Sequence, residues 1–140
     1  MWGVRGKQAA AALGVLKHQP EHGLVPLDPA RLPWRPTKVA GVAWIPLFLE
    51  GESGPRADGP AAGSAVLIRM DPGCGYPRHA HVGAEEVLCL AGGYEDELGT
   101  VRAGDFVRYE AGSAHAPVAL AGGPCVLFAT ARDGIRFEAD

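Results

Sequence analysis

Residues Gly73–Gly93 read GCGYPRHAHVGAEEVLCLAGG, and the rest of the chain is best understood outward from them. The stretch opens on turn chemistry, Asp71-Pro72-Gly73-Cys74-Gly75, and closes on Gly92-Gly93. Between these turns lie two short strand-like runs, Tyr76–His81 and Glu85–Ala91. His79 and His81 are two residues apart, so on a strand both imidazoles point to one face. Glu85 shares their parity, and an unbroken strand would present all three side chains together with Glu86 facing outward. A bulge at Gly83 would reverse that parity, so Glu85 and Glu86 both stand as the candidate carboxylate, Glu85 being preferred.

Imidazole nitrogens and a carboxylate oxygen aimed at one point suit a divalent first-row metal. A further histidine, His115, lies in Gly112-Ser113-Ala114-His115-Ala116-Pro117, where the turn residues would deliver it onto a neighbouring strand. His79, His81, Glu85 and His115 are therefore the expected ligands of one divalent metal ion per chain, Fe, Zn, Mn or Ni. Such a set leaves coordination positions open for water, dioxygen or a substrate oxygen. Tyr76, just ahead of the first histidine, is expected as a hydrogen-bond donor behind the ligands. Glu86, if not a ligand, is expected beside a histidine or Arg78.

Away from this segment the chain keeps the same character. Gly 20 and Pro 12 make 32 of 140 residues, which argues against a helical bundle. Hydrophobic residues are 47% and charged ones only 21%, too apolar for a disordered linker. Further strands are expected at Val39–Leu49, with Pro46 marking an edge or bend, and at Ser64–Met70, Phe106–Glu110, Ala114–Leu120, Cys125–Thr130 and Ile135–Glu138. Turn signals separate them, and Glu95, Asp96 and Glu97 read as a solvated turn. Residues 8–17 (QAAAALGVLK) suit a short helix and residues 19–36 an irregular, proline-rich arm anchored by Trp34. The expectation is one all-β domain, an antiparallel sandwich or barrel, preceded by an irregular or helical N-terminal arm.

A net charge of −3 gives no basic footprint for nucleic acid or an anionic membrane, and no apolar run suggests a transmembrane helix. Cys74, Cys89 and Cys125 are odd in number and widely spaced, which reads as free thiols in a reducing, cytoplasmic setting. They are expected to act as small buried hydrophobes.

The spacing resembles the two motifs of the cupin superfamily. Gly73, five residues, His79-x-His81, three residues, Glu85, six residues and Gly92 reproduce the first. Gly104, five residues, Glu110-Ala111-Gly112, two residues and His115 follow the second, with Glu110 where the family carries proline and Ala119 where it carries asparagine. Within cupins the chain is similar to the ChrR-type domain, the sensory half of certain zinc-containing anti-sigma factors. The likeness rests on His79–Glu86, Gly112–Pro117 and Gly123–Phe128, and extends upstream through Leu32–Pro36. It implies a jelly-roll β-barrel over residues 26–140 and an N-terminal extension over 1–25. The anti-sigma factors carry a helical domain with its own His/Cys zinc site. The extension here has His18 and His22 but no cysteine, so sigma-factor binding is not expected.

Small cupins resembling this one include dioxygenases of the acetylacetone and dihydroxyacetophenone kind. That resemblance implies a metal-dependent (Fe) dioxygenase acting on a small carbonyl or phenolic compound. His79, His81 and His115 would hold the iron, Glu85 would be the fourth ligand, and Val87, Leu127 and Trp44 would form apolar walls. The ChrR-type likeness implies instead a non-catalytic zinc-binding sensor module. An Mn or Zn isomerase or decarboxylase, using the metal as a Lewis acid, is the third reading. A homodimer, with the Trp-bearing arm lying across a partner's sheet, is expected in each case.

Overall fold

The computed structural model describes residues 29–48 and 64–138. The expected helix at 8–17, His18, His22 and most of the N-terminal arm lie outside the described residues. After a 3-10 turn at Pro29–Arg31, twelve strands follow in chain order. They are β1 (Arg35–Pro36), β2 (Val42–Phe48), β3 (Ser64–Met70), β4 (His79–His81), β5 (Glu85–Ala91) and β6 (Gly93–Asp96), then β7 (Gly99–Arg102), β8 (Phe106–Tyr109), β9 (Ala114–His115), β10 (Val118–Ala119), β11 (Cys125–Ala131) and β12 (Ile135–Phe137). Among the described residues the fold is all-β, and every strand pair is antiparallel.

Period-two alternation sorts the side chains of the large sheet, whose order is β1-β2-β3-β11-β5-β8. Val42, Trp44, Val66, Ile68, Met70, Val87, Cys89, Leu127 and Ala129 face inward and are buried. Of two three-stranded sheets, β10-β6-β7 and β12-β4-β9, the first supplies Tyr94, Val101 and Ala119 to the same core, and Tyr76 joins them from the segment before β4. Burying each large apolar side chain contributes about 1.5–3 kcal/mol, and the three cysteines are all free. A second apolar cluster, Leu32, Ile45 and Leu67 with Trp34, Leu47 and Phe128 packed against it, forms on the opposite face of the large sheet. Pro46 cannot donate to a ladder, and the β2–β3 register shifts between Pro46 and Phe48, so the bend expected there is present.

The two expected runs are separate strands, β4 and β5, with a bend between them at residues 82–84, so the histidines belong to a small sheet and Glu85 to the large one. Two expectations are corrected. Ala114–Leu120 is two short strands rather than one, because Pro117 has no N–H to continue the ladder. The acidic stretch Glu95–Glu97 is a solvated turn only in part: Glu97 is exposed in the turn after β6 and Glu95 is exposed on that strand, but Asp96 is not. Tyr94–Asp96 belongs to β6, which pairs with β7, and the Asp96 side chain is only 1% exposed.

Two glycines are required by the packing around these strands. Gly75 passes so close to the chain entering β10 that an added Cβ would meet the Pro117 carbonyl oxygen. Gly112 adopts φ +83°, which L-residues rarely take, and lets the turn double back toward β4.

Candidate metal centre

His79 and His81 alternate inward from β4, and His115 lies directly opposite His79 on β9. The turn before β9 is tied to β4 by two backbone bonds, Gly112 N–H to His81 O and His81 N–H to Ser113 O, each 2.8 Å. Glu85 enters from the first position of β5, where it stands between Tyr109 and Ala131 on the neighbouring strands. All four side chains are buried, and one ligand atom from each lies within 4.8 Å of the others.

The hydrogen bonds behind the histidines fix their tautomers. His79 Nδ1 lies 2.9 Å from the Pro77 carbonyl oxygen, which can only accept. His81 Nδ1 lies 2.9 Å from Ser113 Oγ, whose own proton goes to the Glu110 carbonyl at 2.6 Å. His115 Nδ1 lies 2.9 Å from Asp96 Oδ2. Each Nδ1 therefore carries the proton, and each Nε2 presents a bare lone pair inward. His79 Nε2 and His115 Nε2 are 3.1 Å apart, His81 Nε2 is 3.7 Å from Glu85 Oε2, and His81 Nε2 has no hydrogen-bond partner among the described residues. Converging lone pairs with a carboxylate beside them repel one another until a cation lies between them. The residues thus fit a divalent metal ion on their own chemistry.

Electrostatics point the same way. Burial holds the His79 and His81 imidazoles at about 4, and His115 is also lowered, so the rings are neutral ligands at neutral pH. Burial lifts Glu85 to about 8, so a cation is needed to ionise it at pH 7. Asp96 behaves oppositely: burial pushes its carboxyl up, but bonds from His115, Tyr109 and the Leu98 N–H outweigh this and hold it low.

Asp96 is the functional residue that sequence reasoning missed. It anchors His115 and also accepts from Tyr109 OH at 2.7 Å, while Tyr94 OH and Tyr109 OH are 2.6 Å apart. Since Tyr109 spends its proton on Asp96, Tyr94 is the donor in that pair. Asp96→Asn would place an amide N–H toward His115 Nδ1 and favour the tautomer with a proton on Nε2. Metal affinity is then expected to fall about 10- to 100-fold, read by chelator competition, with the tautomer change visible in the His115 ring nitrogen shifts.

The remaining expected residues separate clearly. Glu86 faces the other side of β5, bonded to Arg108 at 2.8 Å and Thr130 at 3.4 Å, rather than to a histidine or to Arg78. Arg78 instead pairs with Glu97 and Glu138. Tyr76 is buried, packs edge-on to His79 at 5.8 Å, and its OH has no hydrogen-bond partner among the described residues. A narrow cavity runs from the histidines into the core between Tyr76, Ile68, Met70, Val87, Leu127 and Ala129. Trp44, expected as a wall, packs in the same core, opposite Ile68 in the sheet, but does not itself line the cavity. Cys89 and Cys125 are buried beside each other, and burial pushes the Cys125 thiol up to about 12, so neither is an activated nucleophile.

Residues 22–133 match the family described as ChrR Cupin-like domain. The anti-sigma-E factor ChrR of Cereibacter sphaeroides is 33% identical over 81 residues, which cover 56% of this chain and 38% of that protein. Of that curated relative's length, then, the chain spans about two fifths. The structure of Rhodobacter sphaeroides SigE in complex with the anti-sigma ChrR superposes with a TM-score of 0.61 at 26% identity, over 87% of this chain and 65% of that one. An acetylacetone dioxygenase from Acinetobacter johnsonii shares the fold, with a TM-score of 0.63 at 18% identity, over 88% of this chain and 81% of that one. With the barrel, the motif spacing and the family match in agreement, the chain belongs to the ChrR cupin-like domain family.

Proposed function

We propose that the chain holds one divalent metal ion through His79, His81, Glu85 and His115, and that the centre serves as a metal-dependent dioxygenase for a small carbonyl or phenolic compound. The observation that carries this is the convergence of three imidazole Nε2 lone pairs, each fixed by a bond at Nδ1, at the end of an apolar cavity. A bound ion there would supply Lewis acidity and, if it is iron, electrons for dioxygen. Three neutral imidazoles and one carboxylate leave a divalent ion with a net positive charge, which favours an anionic oxygen ligand. The residues do the rest: Pro77 O, Ser113 and Asp96 hold the imidazoles in place, and Ile68, Met70, Val87 and Leu127 exclude bulk water.

A second reading is favoured by the family match and by the anti-sigma factor relative. In it the same four residues hold zinc tightly in a regulatory module without turnover. In both readings the protein is a homodimer, supported by Leu90 and Phe106, exposed on the outer face of the large sheet.

The test is metal content by mass spectrometry of protein purified without a metal-affinity tag, followed by oxygen uptake with β-diketones and hydroxyacetophenones. Near-stoichiometric iron with uptake supports the dioxygenase. Tight zinc with no uptake favours the regulatory module, and no metal even after reconstitution overturns both. Light scattering on the same preparation is expected to give twice the chain mass.

A further inference from the structure

Tyr76 presents a buried polar group that the metal centre, as described, does not use. The residue is 6% exposed, and its OH is out of contact with water and without a hydrogen-bond partner among the described residues. It lines the cavity together with His79, Glu85 and His115. Its ring is fixed from two sides, stacked on Phe137 at 6.4 Å and edge-on to His79 at 5.8 Å. Behind it, Gly75 is locked against the Pro117 backbone, so the ring cannot easily swing out. An unsatisfied buried hydroxyl costs about 1–3 kcal/mol, and structures seldom retain one without a use. Away from the histidines and Glu85 the cavity is apolar: Ile68, Val87, Leu127 and Ala129 offer no side-chain acceptor.

We propose that Tyr76 is the ligand-orienting donor of this cavity. Its phenolic O–H donates to an acceptor oxygen, that of a carbonyl, enolate or phenolate, on a small ligand whose apolar body lies against Ile68, Met70, Val87 and Leu127. The proposal rests on the reading that the cavity serves a metal centre and deepens it, because it states what the ligand must carry: one acceptor oxygen on the Tyr76 side and an otherwise apolar surface. A ligand that puts a hydrocarbon edge there leaves the phenol unsatisfied, and one that puts only a donor there leaves its O–H proton without an acceptor.

The experiment compares the zinc-loaded full chain with its Tyr76→Phe variant, titrated calorimetrically with pentane-2,4-dione. Loss of the donor is expected to weaken binding of the dione about 10-fold while zinc affinity stays unchanged. The melting temperature of the ligand-free variant is expected to hold or rise, since an unsatisfied hydroxyl has been removed. A tyrosine with only a structural role would lower stability and leave dione affinity alone. Equal affinities in the two proteins overturn the proposal, as does a wild type that holds zinc but does not bind the dione. Failure of the underlying metal reading is seen separately, as a wild type that retains no zinc, and removes this proposal with it.

Discussion

His79→Ala/His81→Ala is expected to lose its metal while keeping its fold. Structural zinc sites of four ligands are worth about 12 kcal/mol, so removing two ligands is expected to cost about four orders of magnitude in affinity. This pair is the informative choice because of what it leaves behind. Without His79 only the Pro77 carbonyl loses a partner, and without His81 only Ser113 Oγ does, and neither is charged. His115→Ala would instead strip a bond from the buried Asp96 carboxylate, confounding lost metal with lost stability. The large sheet, which carries most of the core, is untouched by the double substitution. Circular dichroism with metal analysis on wild type and variant would check both halves. A folded variant with wild-type metal content would overturn the ligand assignment.

Much of this centre was legible in the sequence because its spacing follows strand geometry. His79 and His81 share a face through simple alternation, and Ser64–Met70 and Glu85–Ala91 fall where turn residues bound them. Parity joins Glu85 to the histidines only along an unbroken strand, and the chain instead bends at residues 82–84 and changes sheets. The Glu85 side chain nevertheless reaches the histidines, one ligand atom of each lying within 4.8 Å of the others. Asp96 was hidden because Tyr94-Glu95-Asp96-Glu97 is dense in acid, and composition outweighed periodicity. The signal was present: Tyr94 and Asp96 are two apart, and both turn inward while Glu95 is exposed. What no local pattern could give is the partner of each group. Asp96 meets His115 across nineteen residues and Tyr109 across thirteen, contacts that exist only once β6 is laid beside β10.

Metal affinity is expected to rise with pH and level off near pH 8, losing about 50-fold between pH 8 and pH 6. The imidazoles, held at about 4, are already neutral over this range and release no proton on binding. Glu85, lifted to about 8, must lose one, so affinity changes by about one decade per pH unit below that value. The stability of the metal-free protein carries the same signature with a worked sign. Histidines depressed from 6.5 contribute stability that is present above that pH and lost as it falls toward 4. Glu85, raised from 4.5, contributes stability that is present below that pH and lost as it climbs through 8. Between pH 4.5 and 6.5 the two histidines outweigh the one carboxyl, and above 6.5 the carboxyl acts alone. The metal-free protein is therefore expected to be most stable near pH 6.5 and to lose about 2 kcal/mol by pH 8. Zinc should remove that alkaline decline, because the ionised carboxylate is then a ligand. Glu85→Gln should flatten both curves above pH 6.5, since an amide has no proton to lose. Chelator competition and thermal melts across this range would decide it. An alkaline decline that persists in Glu85→Gln would assign the proton to another group, and a wild-type affinity independent of pH would remove Glu85 from the coordination sphere.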